Sequence, residues 1–260
     1  MQSEHRFISF DETAIFYRRF EPKGTPRASV ILLHGMGEHG GRYRQVAEYL
    51  ADQNLRVFLP DLRGFGKSGG RRAFAGNFSD FHQDLLALHQ HAQRQDKAHP
   101  IFLMGHSFGG LLASSYLAFA NPPKVHGLIL SSPIFGIKIP VPVWRHVLGV
   151  LMARVYPAYT QSTRVNPEKL THDVEIKKIY AQDTLIYHHI TAALYRELTA
   201  LLRKKDAIAM SIKNPTLVLQ AGQDEVVSKD AVIQFFELLK VVDKELKIYP
   251  DLSITVVGLR

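Results

Sequence analysis

The sequence predicts an α/β fold with a mostly parallel central sheet flanked by helices, and three patterns predict it. Short apolar runs recur along the chain, helical patterns alternate with them, and one long stretch breaks that alternation with helical patterns alone.

The elements follow in chain order. "HRFISF" and "AIFYRRF" alternate apolar and polar residues about Asp11-Glu12, the pattern of a half-exposed antiparallel hairpin at a sheet edge. Next come "ASVILLHG", "RVFLPDLRG", "PIFLMGHS", "VHGLILSSP", "PTLVLQAG" and, more weakly, "ELKIYP". Runs this short and this apolar are strands covered on both faces. Between them, "RYRQVAEYLADQ", "FSDFHQDLLALHQHAQ", "GLLASSYLAFA" and "SKDAVIQFFELLK" repeat apolar residues at spacings of three and four, as amphipathic helices do.

The interruption covers the 78 residues from Gly136 to Lys213, where "PVWRHVLGVLMARVY" and "TAALYRELTALLRKK" are helical and "IPVP" and "RVNP" mark loops. This predicts an inserted helical cap over 136–213, leaving 1–135 and 214–260 as the core. The Val, Leu, Met, Trp and Tyr of the cap are expected mostly to pack it onto the core.

Composition narrows the function. A chain of 260 residues with 46% hydrophobic content folds around one sizeable core. With no cysteine, disulfides, thiolate metal sites and a cysteine nucleophile are excluded, which fits a reducing compartment. The start "MQSEHRFISF" lacks the basic-then-apolar order of a leader, and a soluble, cytoplasmic protein is expected.

The formal charge is +8, and Gly136–Lys213 holds 12 Lys and Arg against 6 Asp and Glu, which places +6 of it in the cap. Either a solvated face or a transient contact with anionic membrane surfaces accounts for that. Nucleic acid is not expected, because the basic residues lack interleaved aromatics. "GFGKSGG" lacks the spacing of a phosphate loop, and no metal or cofactor is expected.

Gly105-His106-Ser107-Phe108-Gly109 follows a predicted strand and opens a predicted helix. That context turns G-x-S-x-G from a common string into a nucleophile elbow, a sharp turn in which flanking side chains would collide with neighbouring backbone. Ser107 is the candidate nucleophile. Acyl transfer also needs amide donors for the oxyanion. In such an elbow one is the Phe108 N–H, and the other comes from the loop His34-Gly35-Met36-Gly37-Glu38-His39, where Met36 N–H is the expected second donor.

Taken together, "LLHGMGEHGGRY", "DLRGFGKSGG", "GHSFGG", "SSPIF" and "LQAGQDEVVS" resemble the monoacylglycerol lipase and lysophospholipase branch of the α/β-hydrolase fold, over roughly residues 6 to 252. The resemblance implies a serine ester hydrolase acting on a lipid-like ester. It makes Ser107 the nucleophile, Met36 and Phe108 the oxyanion donors and Asp224 the triad acid. Asp224 also lies just past the end of a buried strand, where sites of open parallel sheets form, although a turn aspartate capping the next helix has the same position. Asp61, in "LPDLRG", precedes the serine and is expected to be structural, since the order of this fold is serine, acid, histidine.

The chain has 13 histidines, the last of them His189, so none follows Asp224. In the resembled family "YPDL" leads shortly to the triad histidine and a closing helix, whereas here Leu252 runs into "SITVVGLR". His106 adjoins the nucleophile but is expected to pack beneath the turn. His34 and His39 belong to the oxyanion loop, and His188 and His189 to the cap. The triad histidine and last helix are therefore expected to be missing through frameshift or truncation, with apolar sheet surface left uncovered. In triad enzymes, loss of this base costs about 10⁶ in turnover. Two readings remain: a damaged lipid ester hydrolase, or a noncatalytic member that binds a lipid or partner in the same pocket.

Overall fold

The computed structural model describes residues 1–95, 99–138, 141–163, 178 and 180–252. The eight-stranded sheet contains β1 (Gln2–Ile8), β2 (Ala14–Phe20), β3 (Ala28–Leu33), β4 (Leu55–Pro60), β5 (Ile101–His106), β6 (Gly127–Ser131), β9 (Thr216–Ala221) and β10 (Lys244–Tyr249), in the order β1-β2-β4-β3-β5-β6-β9-β10. β1 pairs antiparallel with β2, and β2 antiparallel with β4. Every later pairing is parallel.

The apolar runs are strands because both faces find partners. In β3, Ile31 and Leu33 enter one core cluster and Val30 and Leu32 the other, so all six residues of the strand are buried. Helices α2 (Ser79–Gln95) and α3 (Phe108–Phe119) feed Phe81, Leu85, Leu111, Leu112 and Tyr116 into the first cluster, joined by Val232 and Phe235 of α7 (Lys229–Leu238). α1 (Arg44–Asp52) covers the second with Ala47 and Ala51. Farther along that face, Ile129, Leu217 and Leu219 are only half-buried.

Between β6 and β9 lie α4 (Val143–Val155), a two-stranded antiparallel ribbon of β7 (Thr160–Ser162) and β8 (His189–Thr191), and α5 (Ala192–Leu202) and α6 (Lys205–Ser211). The ribbon corrects the expectation of helices and loops alone. Strands of three residues carry too little alternation to read from sequence. α6 packs on α3 and α7, with Ile208 and Ala209 wholly buried.

α4 differs from expectation in a second way. Only Gly149 and Ala153 are buried; the small face at Gly149 lies against the Tyr195 ring of α5. Val143 at 78% exposure, Trp144 at 63% and Val155 at 70% face outward rather than packing on the core. The loop marker "RVNP", the Ile139-Pro140 half of "IPVP", and the segment after Leu252 in which no closing helix is expected all lie outside the described residues.

Candidate active site

Ser107 sits between the end of β5 and the start of α3 with φ 50° and ψ −114°, a conformation L residues rarely hold. Close packing enforces it. A Cβ on Gly105 would lie 2.3 Å from Gly109 O, and one on Gly109 would lie 2.3 Å from Leu33 O and 2.7 Å from His34 O. The backbone is pinned as well: Ser107 N donates to Ser131 O at 3.0 Å, and Ser107 O accepts from Ile134 N at 3.1 Å. The side chain caps nothing, so the hydroxyl is not spent on the helix it precedes. Phe108 opens α3, and the N–H groups of a first turn have no intrahelical acceptor. Their partial positive charge faces the Ser107 side of the turn.

The loop after β3 stands beside this elbow. Glu38 shapes it: Oε1 accepts from Gly35 N at 3.1 Å and Tyr43 Oη at 2.9 Å, and Oε2 accepts from Arg42 Nε at 3.0 Å. Burial raises the Glu38 carboxyl, but neighbouring His106 and Arg42 and the Tyr43 hydroxyl outweigh it and hold the group below its ordinary value. Met36 N–H has no acceptor among the described residues. Tyr187, shortly before β8, rests on this loop, its N donating to Gly37 O at 2.7 Å.

Asp224 lies just past β9 and is buried. Its Oδ1 accepts from Val226 N at 2.9 Å and Val227 N at 2.7 Å. Its Oδ2 is buried and has no hydrogen-bond partner among the described residues. Burial raises the carboxyl pKa, and the two backbone donors offset part of that. The following helix, α7, is capped by Ser228, whose Oγ accepts from Ala231 N at 3.3 Å, so Asp224 is not the capping residue.

Asp61 is wholly buried and engaged. Its Oδ1 takes Arg18 Nη1 at 2.9 Å and Gly40 N at 2.8 Å, and its Oδ2 takes Lys67 N at 2.8 Å, which ties three segments together.

The histidines near the site are held in place by their own bonds. His34 Nδ1 donates to Gly35 O at 2.8 Å while its Nε2 accepts from Leu62 N at 2.9 Å, so neither nitrogen is free. His39 Nδ1 accepts from Gly41 N at 3.1 Å, and its Nε2 pairs with Asp183 Oδ2 at 2.7 Å. That contact escaped the sequence reading because 144 residues separate the partners. His106 is buried beneath the turn, with Nδ1 at 3.2 Å from Ser131 Oγ. Burial lowers the pKa of both His34 and His106. His188 and His189 are exposed beside Tyr180 and Tyr187. His172 lies outside the described residues.

Known proteins resemble this chain in sequence and fold. The family model described as serine aminopeptidase, S33, matches residues 24–253. Human monoglyceride lipase is 31% identical over 247 residues, spanning 93% of this chain and 80% of that protein. The crystal structure of Paleococcus ferrophilus monoacylglycerol lipase superposes with a TM-score of 0.84 at 27% identity, covering 93% of this chain and 91% of that one. Against an abhydrolase domain-containing protein of Dictyostelium discoideum, the identity is 29% over 96% of this chain, which is only 26% of that protein's length. With the strand order, the Ser107 turn and a family match across nearly its whole length, this chain belongs to the serine aminopeptidase S33 family of the α/β-hydrolase fold.

Proposed function

We propose that this protein is a serine hydrolase of lipid esters, of monoacylglycerol or lysophospholipid type. The observation that carries the reading is Ser107 itself, an uncapped hydroxyl held at positive φ at the amino end of α3. In the proposed reaction Ser107 Oγ attacks the ester carbonyl, and the Phe108 and Met36 amides hold the resulting oxyanion. Collapse expels the alcohol, and water then cleaves the acyl-enzyme. Asp224 is the proposed acid: its Oδ2, the oxygen without a partner, would orient a histidine supplied after Leu252 that takes the Ser107 proton and passes it to the departing alcohol. The names of the relatives, monoglyceride lipase and monoacylglycerol lipase, support lipid esters as the substrate class.

The base is the weak point. No histidine follows Asp224 in these 260 residues, and His34 and His39 are committed to other partners. We infer that this chain turns over slowly. The same lack of a histidine after Asp224 favours a second reading, a noncatalytic protein that binds a lipid or partner at this site.

Joining a histidine-bearing loop and a closing helix after Leu252 separates the two. Restored ester turnover and fluorophosphonate labelling at Ser107 support the hydrolase, while a folded but inert graft supports the binding protein. The proposed setting is cytoplasmic with transient contact at anionic membrane surfaces, consistent with the charge excess of the inserted segment and with no described helix being long and apolar enough to cross a membrane.

A further inference from the structure

β10 ends the sheet and has only β9 beside it among the described residues. Its hydrogen bonds show which backbone groups are left over. The carbonyls of Asp243 and Tyr249 accept from Thr216 N at 3.0 Å and Gly222 N at 2.8 Å, so the odd-numbered residues bond toward β9. Bonding alternates along a parallel pair, and Leu246 and Ile248 therefore turn their N–H and C=O groups to the open edge. The side chains divide in the same way. Leu246 packs against the first core cluster, while Glu245 and Lys247 stand on the other face beside the half-buried Leu217 and Leu219. These two charged side chains are 61% and 52% exposed and lie 3.3 Å apart. An exposed ion pair of this kind contributes little by itself, and both charges are free to meet others.

A row of outward N–H and C=O groups is a template for another strand. Charges on an edge commonly guard it against pairing, but this strand complements itself. We propose that β10 pairs with β10 of a second copy of this chain, antiparallel about a two-fold axis at Leu246, so that one sheet runs through a dimer. In that register Leu246 exchanges both backbone bonds with its twin, and the Ile248 N–H meets the partner's Lys244 carbonyl. Glu245 then lies directly opposite the partner's Lys247, and Lys247 opposite the partner's Glu245, in the closely spaced positions of an antiparallel pair. Only an even-numbered residue can lie on the axis, because only those turn their backbone groups outward. An axis at Lys244 would oppose Asp243 to Glu245, and one at Ile248 would set Leu246 against Pro250, which has no N–H to give. The dimer does not depend on the hydrolase reading.

A contact built on one short strand makes a weak dimer, so sedimentation velocity of the full chain is followed from low to high micromolar concentration. Native protein is expected to pass from monomer to dimer. Glu245→Lys and Lys247→Glu each set like charges opposite one another at both symmetric positions, and each is expected to weaken the dimer by roughly tenfold or more. The two reversals move the net charge in opposite directions, so a bulk charge effect does not weaken both. Glu245→Lys/Lys247→Glu exchanges the signs and is expected to restore native association. Mixing the two single variants is expected to restore it as well, because lysine on one chain then faces glutamate on the other. A native chain that stays monomeric throughout overturns the proposal. A dimer unmoved by either reversal lies elsewhere on the molecule and overturns it too. Weakening that neither the exchange nor the mixture reverses overturns the antiparallel register at Leu246.

Discussion

The Val227 amide donates to Asp224 Oδ1 at 2.7 Å, while Oδ2 of the same buried carboxylate has no partner among the described residues. One oxygen is therefore used to position the group and the other is left for a donor. A desolvated carboxylate with one oxygen left without a donor is costly, and its raised pKa expresses that cost. In the folded state the proton binds at higher pH than in the unfolded chain, so stability falls as pH rises from the ordinary carboxylate range through the raised pKa. Asp224→Asn keeps an acceptor for Val226 and Val227 and removes the charge. It is expected to unfold at higher urea than native protein at pH 7, with the difference shrinking toward pH 4; an unchanged or lowered midpoint at pH 7 contradicts this.

Ser107 pays for its position with a strained backbone at φ 50°. A non-glycine residue held in such a region costs about 1–3 kcal/mol, of which glycine recovers most, less the extra entropy of its unfolded chain. Ser107→Gly is expected to gain about 1 kcal/mol of stability and, in the chain carrying the grafted histidine, to abolish fluorophosphonate labelling. Urea titration and intact mass measure the two effects.

Gly109 faces backbone rather than a yielding side chain, with Leu33 O at 2.3 Å from a built Cβ. Gly109→Ala must push β3 and α3 apart, at a cost of roughly 3 kcal/mol or more. A thermal midpoint within the error of native protein would count against the close packing of the elbow.

Arg63 is a buried clamp. It donates from Nε and Nη2 to Asp84 at 2.6 and 2.7 Å, and from Nη1 to Asp11 at 2.8 Å, joining the β1–β2 turn to α2. Burial raises the Asp84 carboxyl, and Arg63 works against that rise. Arg63→Met leaves this carboxylate buried with Ser9 as its remaining donor, and is expected to cost about 3–5 kcal/mol. Calorimetry at pH 7 checks it.

The fold was legible because it is built from local patterns. β3 and β5 read as strands since both faces are buried, and the Ser107 elbow read as a turn since Gly105 and Gly109 leave room for nothing larger. Relations across long stretches of chain were not legible. The His39–Asp183 pair, the Tyr187–Gly37 contact and the β7–β8 ribbon depend on how the inserted segment settles on the core, which no periodicity encodes. The outward face of α4 misled for a related reason: Trp144 and Val147 read as core residues because hydrophobicity alone says nothing about which surface covers them.

The direct test is p-nitrophenyl butyrate hydrolysis by the 260-residue chain, with Ser107→Ala as the reference and imidazole added in steps. A serine without its base retains little beyond oxyanion and binding effects, roughly 10³–10⁴ over water. The expected result is a rate close to that of Ser107→Ala, rising with imidazole beyond the protein-free imidazole reaction only when Ser107 and Asp224 are both present. Turnover in the ordinary enzymatic range of about 1–10³ s⁻¹ without imidazole, abolished by replacing one of the chain's own histidines such as His39, contradicts the account.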